Sequence, residues 1–190
     1  MNSQSKNYLL ATYQALVDAL LPAGTNPLGN GSPYNGINMK VHEYLINGLN
    51  NYVTIQQQLH QKQIPLSFPT AIMLDTAASQ LIFANHAQPL ANNQFQGGGM
   101  FSSLSRNDRI RTLSALENLQ IDLYLLPSPY KNNAGMVKFV TDALNRFSMF
   151  GYYSEWPAYG TTRLHPPDYR KLEFFPPLWK QVGYPGVSLG

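Results

Sequence analysis

The sequence predicts an all-α fold: one domain over residues 1–190, with a bundle of about five helices (5–150) followed by an irregular aromatic- and proline-rich wrap (151–190). Two observations predict the bundle. Apolar residues recur at three- and four-residue spacing in five stretches, and no stretch alternates with the period of a strand. A third observation predicts the wrap. From Phe150 to the end lie ten of the 23 aromatics and six of the 14 prolines. Disordered tails are poor in aromatics because a chain that buries little apolar surface cannot offset its ordering entropy. Proline at this density also forbids long helices.

The first helix is expected over Ser5 to Leu21, along Tyr8, Leu9, Thr12, Leu16, Ala19 and Leu20, with Pro22 and Gly24 as its stop. Residues 22–37 read as a long loop of Pro, Gly and Asn turn signals. Asn38 is the expected cap of a second helix whose stripe runs Val41, Tyr44, Leu45, Leu49, Tyr52, Ile55 and Leu59. Pro65 and Pro69 bracket a short extended link, and Thr70 to His86 gives a third helix. Residues 87–100 read as a polar, flexible loop ending in Gly97, Gly98 and Gly99. Ser105 and Asp108 resemble a capping box with Asp in place of Glu. They open a fourth helix expected to run to about Leu126, where Pro127 and Pro129 stop it. The fifth spans about Asn133 to Phe150, along Val137, Val140, Leu144 and Phe147.

Composition narrows the function. The net charge is +3, yet charged residues make up only 12% of the chain, about half the usual share. Asn and Gln together number 30, against 23 charged residues, so the surface is amide-rich and repels its own copies weakly. No Lys/Arg run exists. Arg106, Arg109 and Arg111 share their helix with Asp108 and Glu117 and read as a solvated face, so nucleic acid is not an expected partner. There is no cysteine, which excludes disulfides, thiolate metal sites and Cys nucleophiles. No apolar run reaches 18 residues, so no transmembrane segment is expected. Tyr8 to Gly24 reads as a helix of the mature protein rather than a signal peptide, which makes the cytoplasm the default location.

Several motifs dissolve on inspection. Gly186-Val-Ser188-Leu-Gly190 matches the nucleophile elbow, but no strand precedes it and no acid and His follow, so it reads as a turn. His42-Glu43 begins a zinc-helix pattern whose second His position holds Ile46. The four histidines, His42, His60, His86 and His165, are scattered. Gly97 to Gly99 follows no strand and lacks the Lys-Ser/Thr of a phosphate cradle; a hinge is the plainer reading. Asn30-Gly31-Ser32 is a glycosylation sequon that reads as a turn. Asp75, Asp122, Asp142 and Glu155 lie on different elements and form no acid–base pair. No catalytic residue, metal ligand or cofactor site is expected.

Three blocks carry a family resemblance. The first is the opening helix running into proline, Ala11 to Pro22. The second is Phe101-Ser-Ser-Leu104, then Asp108-Arg109 and the helix from Ile110 to Leu125. The third is Gly151-Tyr-Tyr-Ser-Glu-Trp156 with Trp179-Lys-Gln-Val-Gly183-Tyr-Pro-Gly186, and its pattern Trp-x-x-x-Gly-Tyr-Pro-Gly is the most specific piece. In these blocks, about half the chain, the sequence resembles the gluconate 2-dehydrogenase subunit 3 family. The resemblance implies a small accessory subunit of a flavin-dependent dehydrogenase, with the flavin and active site on the large subunit. That family often carries a twin-arginine signal; no Arg-Arg pair is present here.

The resemblance and the composition imply a non-catalytic chain. Its partner is either the large subunit of a flavin-dependent oxidoreductase of the GMC type or further copies of itself in a structural homo-oligomer. Tyr152, Tyr153, Trp156, Trp179 and Tyr184 are the candidate partner-binding anchors, because interface hot spots favour Trp and Tyr. The competing role for each ring is to seal the helical core. Packed on the helices, Trp179 would behave as a large buried aromatic whose removal costs roughly 3–5 kcal/mol.

Overall fold

A computed structural model describes residues 3–21, 35–53, 64–176, 178–179 and 183–186. Six α-helices appear among them: α1 (Ser3–Leu20), α2 (Val41–Asn51), α3 (Ser67–Phe83), α4 (Met100–Ser103), α5 (Arg106–Glu117) and α6 (Ala134–Tyr153). Short 3₁₀ turns lie at Leu123–Leu125, between α5 and α6, and after α6 at Trp156–Thr162 and Pro167–Tyr169. No strand occurs among the described residues, so the fold is all-α. No helix among them is long and apolar enough to cross a membrane.

α2 lies against α6 and α1, while α3 packs on α4 and α5 and α5 bridges α1 and α6. Leu16, Leu45, Leu74, Leu116, Val140 and Leu144 meet in one core. Two tyrosines are fully buried there by finding partners for their hydroxyls. Tyr13 donates to the Ser67 carbonyl at 2.9 Å, and Tyr130 shares a 2.6 Å bond with the Thr70 hydroxyl. Burial pushes both hydroxyls above the ordinary tyrosine pKa.

The cap at Ser105 forms as the sequence implies, and the structure adds one at Asn133. Ser105 Oγ accepts from the Asp108 amide, and Asn133 Oδ1 accepts from the Met136 amide. Other expectations are corrected. Asn38 does not cap α2; it donates its amide to the Asn35 side chain, and Lys40, at φ 57°, leads into the helix. α2 ends at Asn51, and Ile55, Leu59 and His60 lie outside the described residues. α3 begins earlier than expected and takes Pro69 into its first turn, where a missing N–H costs nothing. α5 stops at Glu117 rather than near Leu126. Leu119 adopts φ 56°, and the Gln120 amide reaches back to the Ala115 carbonyl at 2.8 Å, closing the last turn. Glycine usually takes that left-handed position, so a leucine there sends no stop signal.

Residues 87–104 are pinned rather than hinge-like. The Leu90 amide donates to the Ser103 carbonyl at 2.8 Å, and Phe95 is buried. Asp75 of α3 accepts from the Tyr8 hydroxyl and, at 2.9 Å, from the Phe101 amide. Gly99 lies so close to the Asp75 carboxyl that a Cβ there would collide with it. Burial raises the Asp75 pKa, opposed by its bonds from Tyr8 and Phe101.

The arginine face of α5 is also corrected. Arg109 is only 2% exposed. It donates to Asp18 at 2.7 Å and to the Ala15 carbonyl at 3.1 Å, with Phe95 packed 4.7 Å beneath its guanidinium. Arg106 reaches the Leu21 carbonyl at 2.6 Å. Of the three, Arg111 remains exposed, bonded to the His86 carbonyl and Asp108. Two of these cations therefore tie α5 to α1.

Candidate partner-docking site

The site begins where α6 ends. Gly151 lets the last turn of α6 lie directly on α2, since a Cβ there would sit 2.7 Å from Tyr44 Cδ1. The next two rings diverge: Tyr152 turns inward and is buried, while Tyr153 is 49% exposed. After the bend at Ser154, Trp156 enters the body. It is 1% exposed, packs edge-on against Tyr44 at 5.1 Å, and donates its indole N–H to the Lys40 carbonyl at 2.9 Å. The left-handed backbone at Lys40 lies at this point of contact.

Beyond Trp156 the chain makes an excursion and returns. Gly160, at φ 49°, turns it outward. Glu173 closes the excursion by accepting from the amide and hydroxyl of Thr161, and its own amide donates to the Ala158 carbonyl at 2.9 Å. Those Thr161 bonds hold the Glu173 carboxyl below its ordinary pKa. Thr162 Oγ1 adds a bond from the Lys171 amide at 3.0 Å. Arg163 lies 3.8 Å from Glu43 of α2.

The chain then comes back over the end of α6. Leu178 is buried, and Trp179 donates its indole N–H to the Tyr153 carbonyl at 3.1 Å. Trp179 packs edge-on against Phe175 at 5.8 Å and Tyr184 at 4.8 Å. It is partly exposed, so the expectation of a deeply buried Trp179 is corrected: its ring neighbours here come from its own segment. Tyr184 and Phe175 are 45% and 52% exposed.

The five sequence candidates therefore divide. Tyr152 and Trp156 spend their rings inside the chain, while Trp179 and Tyr184 stack at its surface and Tyr153 shares a cleft with Trp179. Sequence reasoning missed Tyr44, Glu155, Tyr159 and Arg170, which line a cleft of about 400 Å³ with Tyr153, Ser154, Trp156 and Trp179. Tyr44 read as core from its helical spacing, and nothing in the pattern joined Arg170 to it. Tyr159 donates to Glu155 at 2.6 Å, and burial followed by that carboxylate pushes its hydroxyl up to about 12.

The remaining candidates do not assemble into chemistry. His42 is buried on α2, with Nδ1 unpartnered among the described residues. Burial, reinforced by Lys40 and Arg163, pushes its pKa down to about 4. His86 and His165 are exposed and far apart in sequence. Asp122 caps the 3₁₀ turn at Tyr124, and Asp142 pairs with Arg146 on the α6 surface. Among the described residues no three His, Cys, Asp or Glu side chains could hold one metal ion. Asn30 to Ser32, and Ser188 with Gly190 of the elbow-like motif, lie outside the described residues. Comparison with family models, with curated proteins and with solved structures returned no match.

Proposed function

We propose that this chain is a non-catalytic accessory subunit that docks through its C-terminal aromatic face on a flavin-dependent oxidoreductase of the GMC type. One observation carries the docking: Phe175, Trp179 and Tyr184 stack on one another at the surface, with the half-exposed Tyr153 beside Trp179 in the same cleft. Exposed apolar patches of this kind mark contact sites, and Trp and Tyr are the residues that most often anchor them. The choice of partner rests on the resemblance to the gluconate 2-dehydrogenase subunit 3 family, whose Trp-x-x-x-Gly-Tyr-Pro-Gly pattern falls on this face.

Self-association is the second reading. Phe139 and Phe150 on the outer side of α6 are also exposed and extend the apolar surface beyond the C-terminal face. Sedimentation of the chain alone, and mixed with the candidate oxidoreductase, separates the two. A complex that Trp179→Ala and Tyr184→Ala disrupt supports docking on the oxidoreductase. Assembly of the chain alone that the same variants abolish favours the homo-oligomer. A strict monomer that ignores the oxidoreductase removes both.

A further inference from the structure

The cleft between α2 and the C-terminal segment has a composition that docking does not require. It is lined by five aromatic residues, Tyr44, Tyr153, Trp156, Tyr159 and Trp179, with Glu155, Ser154 and Arg170 among them. The volume, about 400 Å³, falls within the range of about 300–1,000 Å³ typical of small-molecule sites. Arg170 lies over the Trp156 ring at 5.6 Å. Its Nε donates to the His165 carbonyl at 2.9 Å, and its two terminal nitrogens find no acceptor among the described residues. Glu155 accepts from Tyr159 through one oxygen.

The charges rule out a ligand of one net charge, and the rings of the walls favour a saturated ring over a small zwitterion. One guanidinium and one carboxylate line the same small space, without forming an ion pair with each other among the described residues. A cationic ligand would meet Arg170 and an anionic one would meet Glu155, and such like-charge contacts are costly at short range. A neutral ligand with many hydroxyls satisfies both: it donates to Glu155 and accepts from Arg170. Aromatic faces carry negative charge and suit the weakly positive C–H faces of a saturated ring. We propose that this cleft binds a neutral carbohydrate, stacked on Tyr153 and Trp179 and hydrogen-bonded by Arg170 and Glu155. The inference goes beyond the accessory-subunit reading and concerns the isolated chain, so either can fail without the other.

The protein reports on the site by itself, because Trp156 and Trp179 are its two tryptophans and both line the cleft. The experiment titrates the purified full chain with maltohexaose, cellohexaose and chitohexaose, and with benzoate and tetramethylammonium, while following tryptophan emission. At least one neutral oligosaccharide should give a saturable change. Arg170→Gln and Tyr153→Ala, each at an exposed or half-exposed position, should weaken that binding by about tenfold or more with circular dichroism unchanged. The proposal is overturned if no oligosaccharide gives a saturable change, if either charged probe binds more tightly than all three sugars, or if both variants bind as the parent does.

Discussion

Tyr13 and Tyr130 in the helical body, and Tyr153 and Tyr184 in the C-terminal segment, are the same residue in opposite surroundings. The first two are sealed off from water and bonded to Ser67 and Thr70. The second two stand about half in solvent. The body brings several helices to each buried ring, so its polar atoms can find backbone and hydroxyl partners. Among its described residues the C-terminal segment buries Gly151, Tyr152, Trp156, Pro157, Ala158, Pro176 and Leu178. Of its other rings, Phe175, Trp179 and Tyr184 stack on one another and Tyr153 packs on Tyr152. Ring content is therefore a poor guide to burial; the number of elements surrounding each ring decides it.

Substitutions can break that contrast. The largest effect is expected at Trp156, the one ring of the segment buried as deeply as those of the body. Trp156→Ala should destabilise by about 4 kcal/mol, read from urea unfolding, through the cavity it leaves and the freed Lys40 carbonyl. A loss under about 1 kcal/mol would mean that the segment is not seated on α2. Within the body, Arg109→Ala should cost about 3 kcal/mol, because it strands Asp18 and empties the space above Phe95. An unchanged urea midpoint would contradict the buried pair.

A third test uses pH. The folded pKa of His42, about 4, lies below the ordinary value of 6.5, so the unfolded chain binds the proton more readily. The stability this neutral histidine confers is complete above about pH 6.5 and is lost as pH falls toward 4. Between pH 7 and pH 5 unfolding free energy should drop by about 2 kcal/mol from this group. The raised pKa of Asp75 acts with the opposite sign, its contribution fading as pH rises through the folded value. His42→Leu should flatten the pH 5–7 slope; a slope that survives the substitution assigns it elsewhere. The smallest effects belong to the surface rings. Trp179→Ala should cost about 1 kcal/mol, the value of a pair of edge-on aromatic contacts, and Tyr184→Ala less. Thermal melts showing a loss at Trp179 comparable to that at Trp156 would erase the distinction between the two regions.

The start of α5 was legible because apolar spacing and a side-chain cap coincide at Ser105. Boundaries set by backbone geometry were not. α5 ends on a left-handed leucine, and α3 on the left-handed Asn85 with a His86 amide bond back to Leu81. Buried charge was equally invisible. Arg109 meets Asp18 across 91 positions and Asp75 meets Tyr8 across 67, separations at which periodicity carries no information. For the candidate site, the richness of the C-terminal segment in rings could be read, but not which rings turn inward. Tyr152 and Tyr153 are adjacent and identical, and the turn of α6 that sorts them is fixed by Gly151 against Tyr44.

The bond between the Trp156 indole and the Lys40 carbonyl spans 116 positions of the chain. On the ribosome, α1 through α5 are therefore made well before the ring that closes over α2. A nascent chain halted near residue 150 would expose Tyr44 on the side that Trp156 later covers. That interval is when a chaperone has apolar surface to hold, and it ends once Trp156 has left the ribosome and packed on α2.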